Sequence, residues 1–425
     1  MTASTLSRPN PPTAKGAGSP RAATTVDVLV LNARLRQSLV AVRSLGRRGL
    51  RVAAVETSDK VPTFLSRWCT QGFVLPVADG SELYLTLLEE VLSRAAARVV
   101  IPSHDGTIAL LRRHRERLEP LVGLALAKEP ALAIAVSKER TLELAARLGL
   151  RVPRGMALNA VGDVPVALQE VGLPAVIKPS ESWLWQGSHG TRVGSRLVTS
   201  TAEAELAVAE FTRFGGSALW QQLLTGRREA VSLLYASGQV HARFAQWATR
   251  TRPPLGGESV VRQSIAVPED IGRQAEALVR AMDLEGYSEV EFRRDSAGAA
   301  YLMEINPRLS ASVELAVRAG VDFPYLLYQW ATGGAIDRTV GYRVGGWMRH
   351  LGGDIETTLE TLEERGRPGI TPPVRALLDF GLAFFRPMAY DYADGGDPLP
   401  AIAASAKYTR DWIARIWSRL KRSLS

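Results

Sequence analysis

The sequence has a single cysteine and no long apolar run, and both absences narrow the classes of protein it can encode. Cys69 alone cannot form an intrachain disulfide, so we expect a reducing, cytoplasmic setting. No apolar run approaches the length that spans a bilayer, which argues against a transmembrane helix. The first 25 residues are rich in Pro, Ser, Thr, Ala and Gly without the apolar stretch of a signal peptide, so we predict a disordered tail.

The remaining composition is that of an ordinary globular protein with a surplus of positive charge. Of the 425 residues, 46% are hydrophobic and 22% are charged, and this length suits two or three domains. The net charge of +9 comes from basic residues spread along the chain, without a nucleic-acid-binding motif. We therefore expect nucleotides and acidic small molecules as ligands, and no nucleic acid.

Three short apolar runs near the N-terminus predict buried strands: Val26–Asn32, Leu50–Glu56 and Arg98–Ser103. A helical pattern over Arg36–Arg48 separates the first two runs. Strands that alternate with helices favour a parallel α/β sheet, here over residues 26 to about 127. The loop after the first run has no glycine, so the GxGxxG fingerprint of dinucleotide binding is absent.

A second loop of this region lies at the carboxyl end of a predicted strand, where parallel sheets bind ligands. His104 and Asp105 in this loop are therefore candidates for substrate contact. The alternative, which we favour, is a plain turn in which Ser103 or Asp105 caps a helix.

Two strand-like runs with a turn between them predict a β-hairpin in the second half of the chain. The runs are Ser288–Arg293 and Ala299–Ile305, and the turn is Asp-Ser-Ala-Gly at 295–298. Side chains alternate between the two faces of a strand, so a hairpin register can place Glu291 beside Glu304.

The end of this hairpin adds an amide and a cation to the two acids. Asn306 shares a face with Glu304, Pro307 ends the strand, and Arg308 follows. Oxygen ligands of this kind suit Mg²⁺, with Mn²⁺ as the alternative ion, and a guanidinium can reach phosphates bound to the metal. An ordinary amphipathic hairpin whose acids face water is the other interpretation.

This cluster resembles the metal-binding signature of the ATP-grasp superfamily. Glu291, Glu304 thirteen positions later, and then Asn306, Pro307 and Arg308 match the signature. The similarity is greatest to the carboxylate–amine ligase branch, which includes the carbamoyl-phosphate-synthase-like and D-amino-acid ligases. The resemblance implies that Glu291, Glu304 and Asn306 bind the metal and that Arg308 is catalytic.

The resemblance also implies a fold of mixed α/β and α+β class. A parallel α/β domain (26–127) would precede an ATP-grasp domain of two subdomains (128–334), whose lid covers about 155–222. A helical C-terminal extension (335–425) would follow, and the disordered tail (1–25) completes the predicted organisation.

Two lysines occupy positions that a nearby anion would favour. Lys138 lies in the first turn of a predicted helix, where the helix dipole prefers acids. Lys178 lies inside the apolar, proline-bounded strand 174–179, where an unpaired charge is costly. The resemblance implies that both lysines contact ATP, and a solvated surface lysine is the alternative for Lys138.

The segment 180–194 is rich in glycine and hydroxyl residues, which suits a loop that covers phosphates. The resemblance gives Ser188 in this loop an ATP contact. Trp183 and Trp185 are atypical there, and they either pack against a substrate or anchor the lid.

The segment that begins at Ala218 resembles the hinge that grips adenine. Its backbone groups would read the adenine edge and its apolar side chains would form a wall, while a surface strand and turn is the alternative. The residues implied in nucleotide binding, of which the last would contact ribose, are Gln221, Gln222, Leu223, Leu224 and Glu229.

Four arginines, a Pro-Pro pair and a Gly-Gly pair between residues 243 and 262 predict a basic loop between strands. Such a loop is either solvated or binds phosphate and carboxylate groups through bidentate guanidinium contacts. We select Arg262 as the catalytic residue that grips the acyl phosphate and the substrate carboxylate.

The chain ends in a basic amphipathic pattern over Lys407–Arg422, well beyond the resemblance, which fades after residue 335. Apolar residues recur there at every fourth position among arginines and lysines. A terminal helix docked on the core is favoured, and peripheral membrane contact through residues 407–422 is the alternative.

The resemblance implies an ATP-dependent ligase that joins a small-molecule carboxylate to an amine through an acyl phosphate, releasing ADP and phosphate. The alternatives are a carboxylase-like or kinase-like ATP-grasp enzyme, and a non-catalytic nucleotide-binding or membrane-associated scaffold. The sequence leaves open which carboxylate and amine react and which oligomeric state the protein adopts.

Overall fold

The structure is a computed structural model that describes residues 25–187, 189–213 and 215–424, without the side chains of 189, 411–416 and 418–424. The predicted N-terminal tail, apart from Thr25, lies outside the described residues. Four sheets organise the described chain, of five, four, seven and two strands.

The first sheet has five parallel strands in the order β3-β2-β1-β4-β5. Its three interior strands, β2, β1 and β4, are completely buried, as expected for a parallel sheet covered on both faces. The strands are β1 (Val28–Val30), β2 (Val52–Glu56), β3 (Cys69–Val74), β4 (Val99–Ile101) and β5 (Gly123–Leu124). The helices of this region are α1 (Arg36–Arg47), α2 (Glu82–Ala95), α3 (Asp105–Arg113) and α4 (Arg115–Leu118).

Two helices then lead to the lid, a four-stranded antiparallel sheet in the order β10-β7-β11-β6. The lid has a hydrophobic core of its own, which includes Phe211 and Trp220. The leading helices are α5 (Ala131–Val136) and α6 (Lys138–Arg147), and those of the lid are α7 (Val164–Glu170) and α8 (Thr201–Thr212). The sheet strands are β6 (Gly155–Leu158), β7 (Ala175–Pro179), β10 (Arg196–Val198) and β11 (Ala218–Gln222).

The predicted glycine-rich loop at 180–194 contains a small hairpin of β8 (Trp183–Gln186) and β9 (His189–Arg192). Trp183 is 8% exposed and lies against two glycines of the first domain, Gly80 and Gly106. A Cβ atom at Gly106 would lie 2.5 Å from the Trp183 ring, so this close packing requires glycine. Trp183 therefore anchors the hairpin to the first domain, the second of its two predicted roles.

The largest sheet has seven strands in the order β16-β15-β12-β13-β14-β17-β18. Its strands are β12 (Arg228–Ala236), β13 (Gln239–Arg252), β14 (Glu258–Ile265), β15 (Gly286–Arg294), β16 (Ala300–Asn306), β17 (Trp347–Arg349) and β18 (Ala389–Tyr390). The helices that accompany it are α9 (Glu269–Met282), α10 (Val313–Ala319) and α11 (Phe323–Ala331). Together with the first sheet and the C-terminal helices, this seven-stranded sheet confirms the predicted fold of mixed α/β and α+β class.

The basic loop predicted for residues 243–262 is wrong. The segment consists mostly of β13 and β14, which pair in antiparallel fashion and leave residues 253–257 as the connection. Its arginines alternate with Phe244, Trp247 and threonines, and this alternation suits a strand whose two faces meet different surroundings.

The C-terminal extension contains α12 (Leu351–Glu363), α13 (Pro373–Leu382) and α14 (Leu399–Leu424), and its β17 and β18 join the large sheet. The first half of α14 contacts the core, since the Tyr408 hydroxyl lies 2.8 Å from Nε2 of His350. Membrane contact through 407–422 stays a prediction, because most of those side chains are not described. Among the described residues, the protein has no helix of the length and apolarity that a membrane span requires.

Candidate active site

The hairpin of β15 and β16 places the predicted metal ligands side by side. Glu291 is the cross-strand partner of Glu304, and a bulge follows Glu291 in the ladder. Asn306 donates from Nδ2 to Oε1 of Glu291 at 3.2 Å. Among the described residues, no group of three or more His, Cys, Asp or Glu side chains is placed to hold a metal. The donor set nevertheless fits Mg²⁺, which completes its shell with waters and phosphate oxygens.

Both predicted lysines lie beside this hairpin. Lys138 Nζ is 3.7 Å from Oε2 of Glu304 and donates to the Ser182 hydroxyl at 2.9 Å. Burial lowers the pKa of Lys178 to about 8, although Glu304 acts in the opposite direction. Burial would raise the pKa of Glu304, but the positive charges of Lys138 and Lys178 lower it overall.

Glu291 has a partner that sequence reasoning missed. Arg228 donates from Nε to Oε2 of Glu291 at 3.0 Å, yet burial still raises the pKa of Glu291 to about 7. The two residues are on neighbouring strands, and Arg228 is two positions before Ala230, the cross-strand partner of Glu291. The sequence contains no signal for this pairing, because it depends on which strands become neighbours.

Glu289 forms a second polar network on the same face of the sheet. Its Oε2 atom accepts hydrogen bonds from Gln246 at 2.9 Å and from the Ser312 and Ser232 hydroxyls at 3.1 and 3.3 Å. Strand alternation indicates its orientation, since Glu289 is two positions before Glu291. Ser312 precedes α10, and its hydroxyl does not cap that helix.

Arg308 joins the hairpin to the first domain. Its Nε donates to Oδ1 of Asp105 at 2.5 Å, and the pair lowers the pKa of Asp105 and raises the pKa of Arg308. The favoured prediction of a helix cap at Ser103 or Asp105 is wrong. His104 occupies the N-cap position of α3, and its side chain makes no capping hydrogen bond. The Asp105 carboxylate instead accepts a hydrogen bond from Arg308.

The hinge residues lie between the lid and the large sheet. Gln221 and Leu224 are buried, at 1% and 8% exposed, while Gln222 accepts from the Arg154 backbone N–H at 3.3 Å. Leu223 is half-buried between them. Glu229 is buried and forms ion pairs with two arginines, Arg227 at 2.9 Å and Arg294 at 2.7 Å. Ser188, the predicted phosphate contact of the lid, lies outside the described residues.

Arg262 is not brought to the site. Its side chain is 0% exposed and donates to Asp391 of the C-terminal extension, with distances of 2.6 and 3.0 Å. Arg36 of α1 donates to the same carboxylate at 2.8 Å. Because its charge is neutralised inside the protein, Arg262 has a structural position, which does not support the predicted grip on substrate.

A cavity of about 700 Å³ lies between the first domain, the lid and the large sheet, and residues of all three line it. Its wall includes Arg34 and His104 of the first domain and the lid segment 192–197. Six of the predicted site residues also line it: Lys138, Glu229, Glu291, Glu304, Asn306 and Arg308. Acids, cations and an amide thus face one enclosed cleft between separate parts of the fold.

A cleft between a lid sheet and a large, mostly antiparallel sheet, with a carboxylate hairpin at its floor, is the architecture of an ATP-grasp protein. Residues 219–346 match the family model described as ATP-grasp in the biosynthetic pathway with Ter operon. D-alanine–D-alanine ligase B of Pseudomonas putida is 26% identical over 308 residues, which are 68% of this chain and 90% of that protein.

Solved structures share the fold at low sequence identity. Biotin carboxylase of Campylobacter jejuni, in its β,γ-ATP complex, superposes with a TM-score of 0.61 at 18% identity, covering 76% of this chain and 74% of that one. The L-amino acid ligase of Bacillus licheniformis superposes with a TM-score of 0.56 at 18% identity, covering 74% and 75%. The fold is that of the ATP-grasp structures, and the sequence similarity supports an enzyme of the carboxylate–amine, C–N bond-forming ligase branch of that superfamily.

Proposed function

We propose that this enzyme joins a small-molecule carboxylate to an amine with ATP as the energy source. The substrate carboxylate attacks the γ-phosphoryl group, which gives an acyl phosphate and ADP, and the amine then displaces phosphate to form an amide. The observation that carries the proposal is the meeting of Glu291, Glu304, Asn306 and Lys138 at one cleft, with the buried Lys178 in electrostatic reach of Glu304.

Glu291, Glu304 and Asn306 are the residues that would hold Mg²⁺. When bound, the metal neutralises charge on the β- and γ-phosphates. Glu291 must be ionised to serve as a ligand, and its pKa of about 7 in the metal-free protein makes its proton a competitor of the metal. Arg228, already paired with Glu291, keeps a compensating positive charge beside it.

The cations of the cleft act on the nucleotide and on the acyl phosphate. Lys138 and Lys178 would stabilise negative charge on ATP, and Ser188 would add a hydroxyl contact from the lid. Arg308, fixed in orientation by Asp105, would bind the transferred phosphate. Catalysis of this kind consists of positioning and electrostatics, so it requires no protein nucleophile.

The hinge would hold the adenosine part of ATP. Gln221 and Gln222 flank the adenine edge, Leu223 and Leu224 provide its apolar wall, and Glu229 binds ribose hydroxyls. The Glu229 carboxylate already forms two ion pairs, so it would accept the ribose hydrogen bonds with its remaining lone pairs.

Nucleotide product analysis tests this reaction. We expect ADP and phosphate when the protein is incubated with ATP, Mg²⁺ and pooled amino acids and carboxylates, and only with particular substrates. Glu304→Gln should lower turnover by about two orders of magnitude or more, because it removes a metal carboxylate. Glu269→Gln, whose side chain is 82% exposed on α9, is the matched control and should leave turnover unchanged.

Two outcomes would overturn the proposal. AMP and pyrophosphate as products would mean adenylation of the carboxylate, without an acyl phosphate. Near-normal turnover in the Glu304→Gln variant would remove the metal assignment of the hairpin.

A further inference from the structure

A second cavity, of about 610 Å³, lies beside the active-site cleft and is used by none of the steps above. Its wall combines the start of β12, the end of β13 and the helices α12 and α13 of the C-terminal extension. Four residues line both cavities and separate them: Arg228, Ala248, Pro254 and Leu255. A ligand of this cavity would therefore be a near neighbour of the metal-binding hairpin.

The lining of this cavity is strongly positive. Its charged members are one acid, Asp379, and six arginines: Arg227, Arg228, Arg250, Arg293, Arg375 and Arg386. A cavity that concentrates like charges in this way attracts anions, and low-dielectric walls strengthen the attraction.

The acids behind the wall do not balance this charge. Asp354 is shared by two arginines, Arg250 at 3.0 Å and Arg349 at 2.7 Å. Glu229 is likewise shared by Arg227 and Arg294. Each of these two carboxylates thus pairs with two guanidinium groups. Glu291 pairs with Arg228, and Asp379 pairs with Arg375 at 3.7 Å. Arg293 and Arg386 therefore line the cavity without an ion pair among the described residues.

Arg293 is one of these two arginines. Its guanidinium donates to two backbone carbonyls, those of Gly226 at 3.1 Å and Leu255 at 3.0 Å. No ion pair with a carboxylate forms at Arg293 within the described part of the chain.

One N–H group at the shared wall lacks a partner. Nη1 of Arg228 is buried and makes no hydrogen bond to any described residue, while Nε and Nη2 of the same guanidinium serve Glu291. An unpartnered buried donor is costly, and an oxyanion would satisfy it.

The rim of the cavity holds two guanidinium planes in fixed orientation. Arg227 lies 4.1 Å above the ring of Trp247, and Arg386 lies 4.1 Å above the ring of Trp347. The two indoles contact each other edge to face, with centroids 5.9 Å apart. Stacking on an indole ring restrains the orientation of each guanidinium group but uses none of its N–H donors. Each group is therefore oriented for bidentate hydrogen bonds to an anion.

We propose that this second cavity is a binding site for a small polyanion, a molecule with at least two carboxylate or phosphate groups. Guanidinium forks bind such groups in bidentate fashion, and several of them at different walls favour a ligand with more than one anionic group. The site is separate from the nucleotide cleft, and its occupation does not depend on the ligase reaction proposed above.

Calorimetric titration tests the proposal with two probes, propane-1,2,3-tricarboxylate and inorganic pyrophosphate, in metal-free buffer at constant ionic strength. Each titration is repeated with an excess of a non-hydrolysable ATP analogue, and acetate serves as the monovalent control. We expect saturable binding of at least one polyanionic probe that persists beside the analogue, and no saturable binding of acetate.

The matched variants are Arg375→Gln with Arg386→Gln, and Arg273→Gln as the control. Arg375 and Arg386 are exposed at the rim, and Arg273 is an exposed arginine of α9 outside both cavities. The double variant should bind the probe on the order of tenfold more weakly, while the control binds as the wild type does.

Three results would overturn the proposal: no saturable binding of either probe, loss of binding when the analogue is present, or equal affinity in the double variant. ATP turnover, measured in the same preparations, distinguishes a failure of this polyanion site from a failure of the proposed ligase reaction. An inactive wild-type protein that still binds the polyanion would contradict the ligase reaction and leave this site supported.

Discussion

Lys178 is a buried cation whose charge depends on pH within the range of ordinary assays. Burial lowers its pKa to about 8, against about 10.4 in an unfolded chain. The folded state thus disfavours the charged form, and stability is lost as the pH falls from about 10 through 8. Below pH 8 the side chain carries the charge that its proposed contact with ATP requires.

We therefore expect the affinity for a non-hydrolysable ATP analogue to fall as the pH rises above 8, by at most about tenfold per pH unit. Lys178→Arg keeps its charge at these pH values and should show a flat profile. Calorimetric titrations between pH 7 and 9.5 give the measurement. A flat wild-type profile, or the same decline in the arginine variant, would exclude Lys178 as the titrating contact.

For Arg262, in contrast to Lys178, we expect a substitution to lower stability without a specific catalytic defect. Removing its charge in Arg262→Gln leaves Asp391 buried with one arginine fewer, which costs about 3–5 kcal/mol of unfolding free energy. Urea unfolding measures this loss, with Arg273→Gln as the exposed control. If turnover collapsed while the unfolding midpoint stayed unchanged, Arg262 would be a substrate contact after all.

At the scale of elements, the β8–β9 hairpin depends on the packing of one side chain. Trp183 lies against Gly80 and Gly106 of the first domain, and its removal should release the hairpin at a local cost of about 3–5 kcal/mol. We expect faster tryptic cleavage after Arg192 of β9 in Trp183→Ala, with a weaker affinity for ATP.

The control for this experiment is Trp417→Ala, since Trp417 is 62% exposed on the terminal helix. Its cleavage rate after Arg192 should equal that of the wild type. Equal rates in Trp183→Ala as well would show that other contacts hold the hairpin in place.

The elements that the sequence predicted well are those formed by local contacts. In the β15–β16 hairpin, alternation and turn composition together placed Glu291 opposite Glu304. The arginines and the Pro-Pro and Gly-Gly pairs of segment 243–262 favour a basic loop, whereas most of the segment forms β13 and β14. In the fold these arginines pair with acids far along the chain, as Arg250 pairs with Asp354.

At the scale of the whole molecule, the cleft is assembled from segments that are distant in sequence. Arg308 and Asp105 are 203 residues apart, and Arg228 and Glu291 are 63 residues apart. A single sequence has no local pattern for such pairs, since each depends on how complete sheets are placed. The sequence therefore indicates the candidate metal ligands, but it does not indicate the partners that set their charge.

The C-terminal extension connects to the first domain through acids that pair with α1. Asp391 accepts from Arg36 at 2.8 Å, and Asp397 accepts from Arg43 at 2.9 Å, with all four side chains buried. Burial would raise the pKa of Asp397, but hydrogen bonds from Ser66 and Arg43 lower it overall. An acid with a depressed pKa stabilises the fold above its unfolded value, about 3.9, and loses this contribution as the pH falls.

Asp397→Asn should therefore lower the unfolding free energy at pH 7 by about 3–5 kcal/mol, because it leaves Arg43 buried without its carboxylate. The gap between wild type and variant should be constant from pH 7 to pH 5 and narrower at pH 3.5, because below about pH 3.9 the unfolded chain binds a proton that the ion-paired carboxylate of the folded protein resists. Urea unfolding at pH 7, 5 and 3.5 measures the gap, with the exposed Asp337→Asn as control. A gap that stayed constant with pH would mean that the carboxylate charge contributes little, and that shape and hydrogen bonding alone attach the extension to α1.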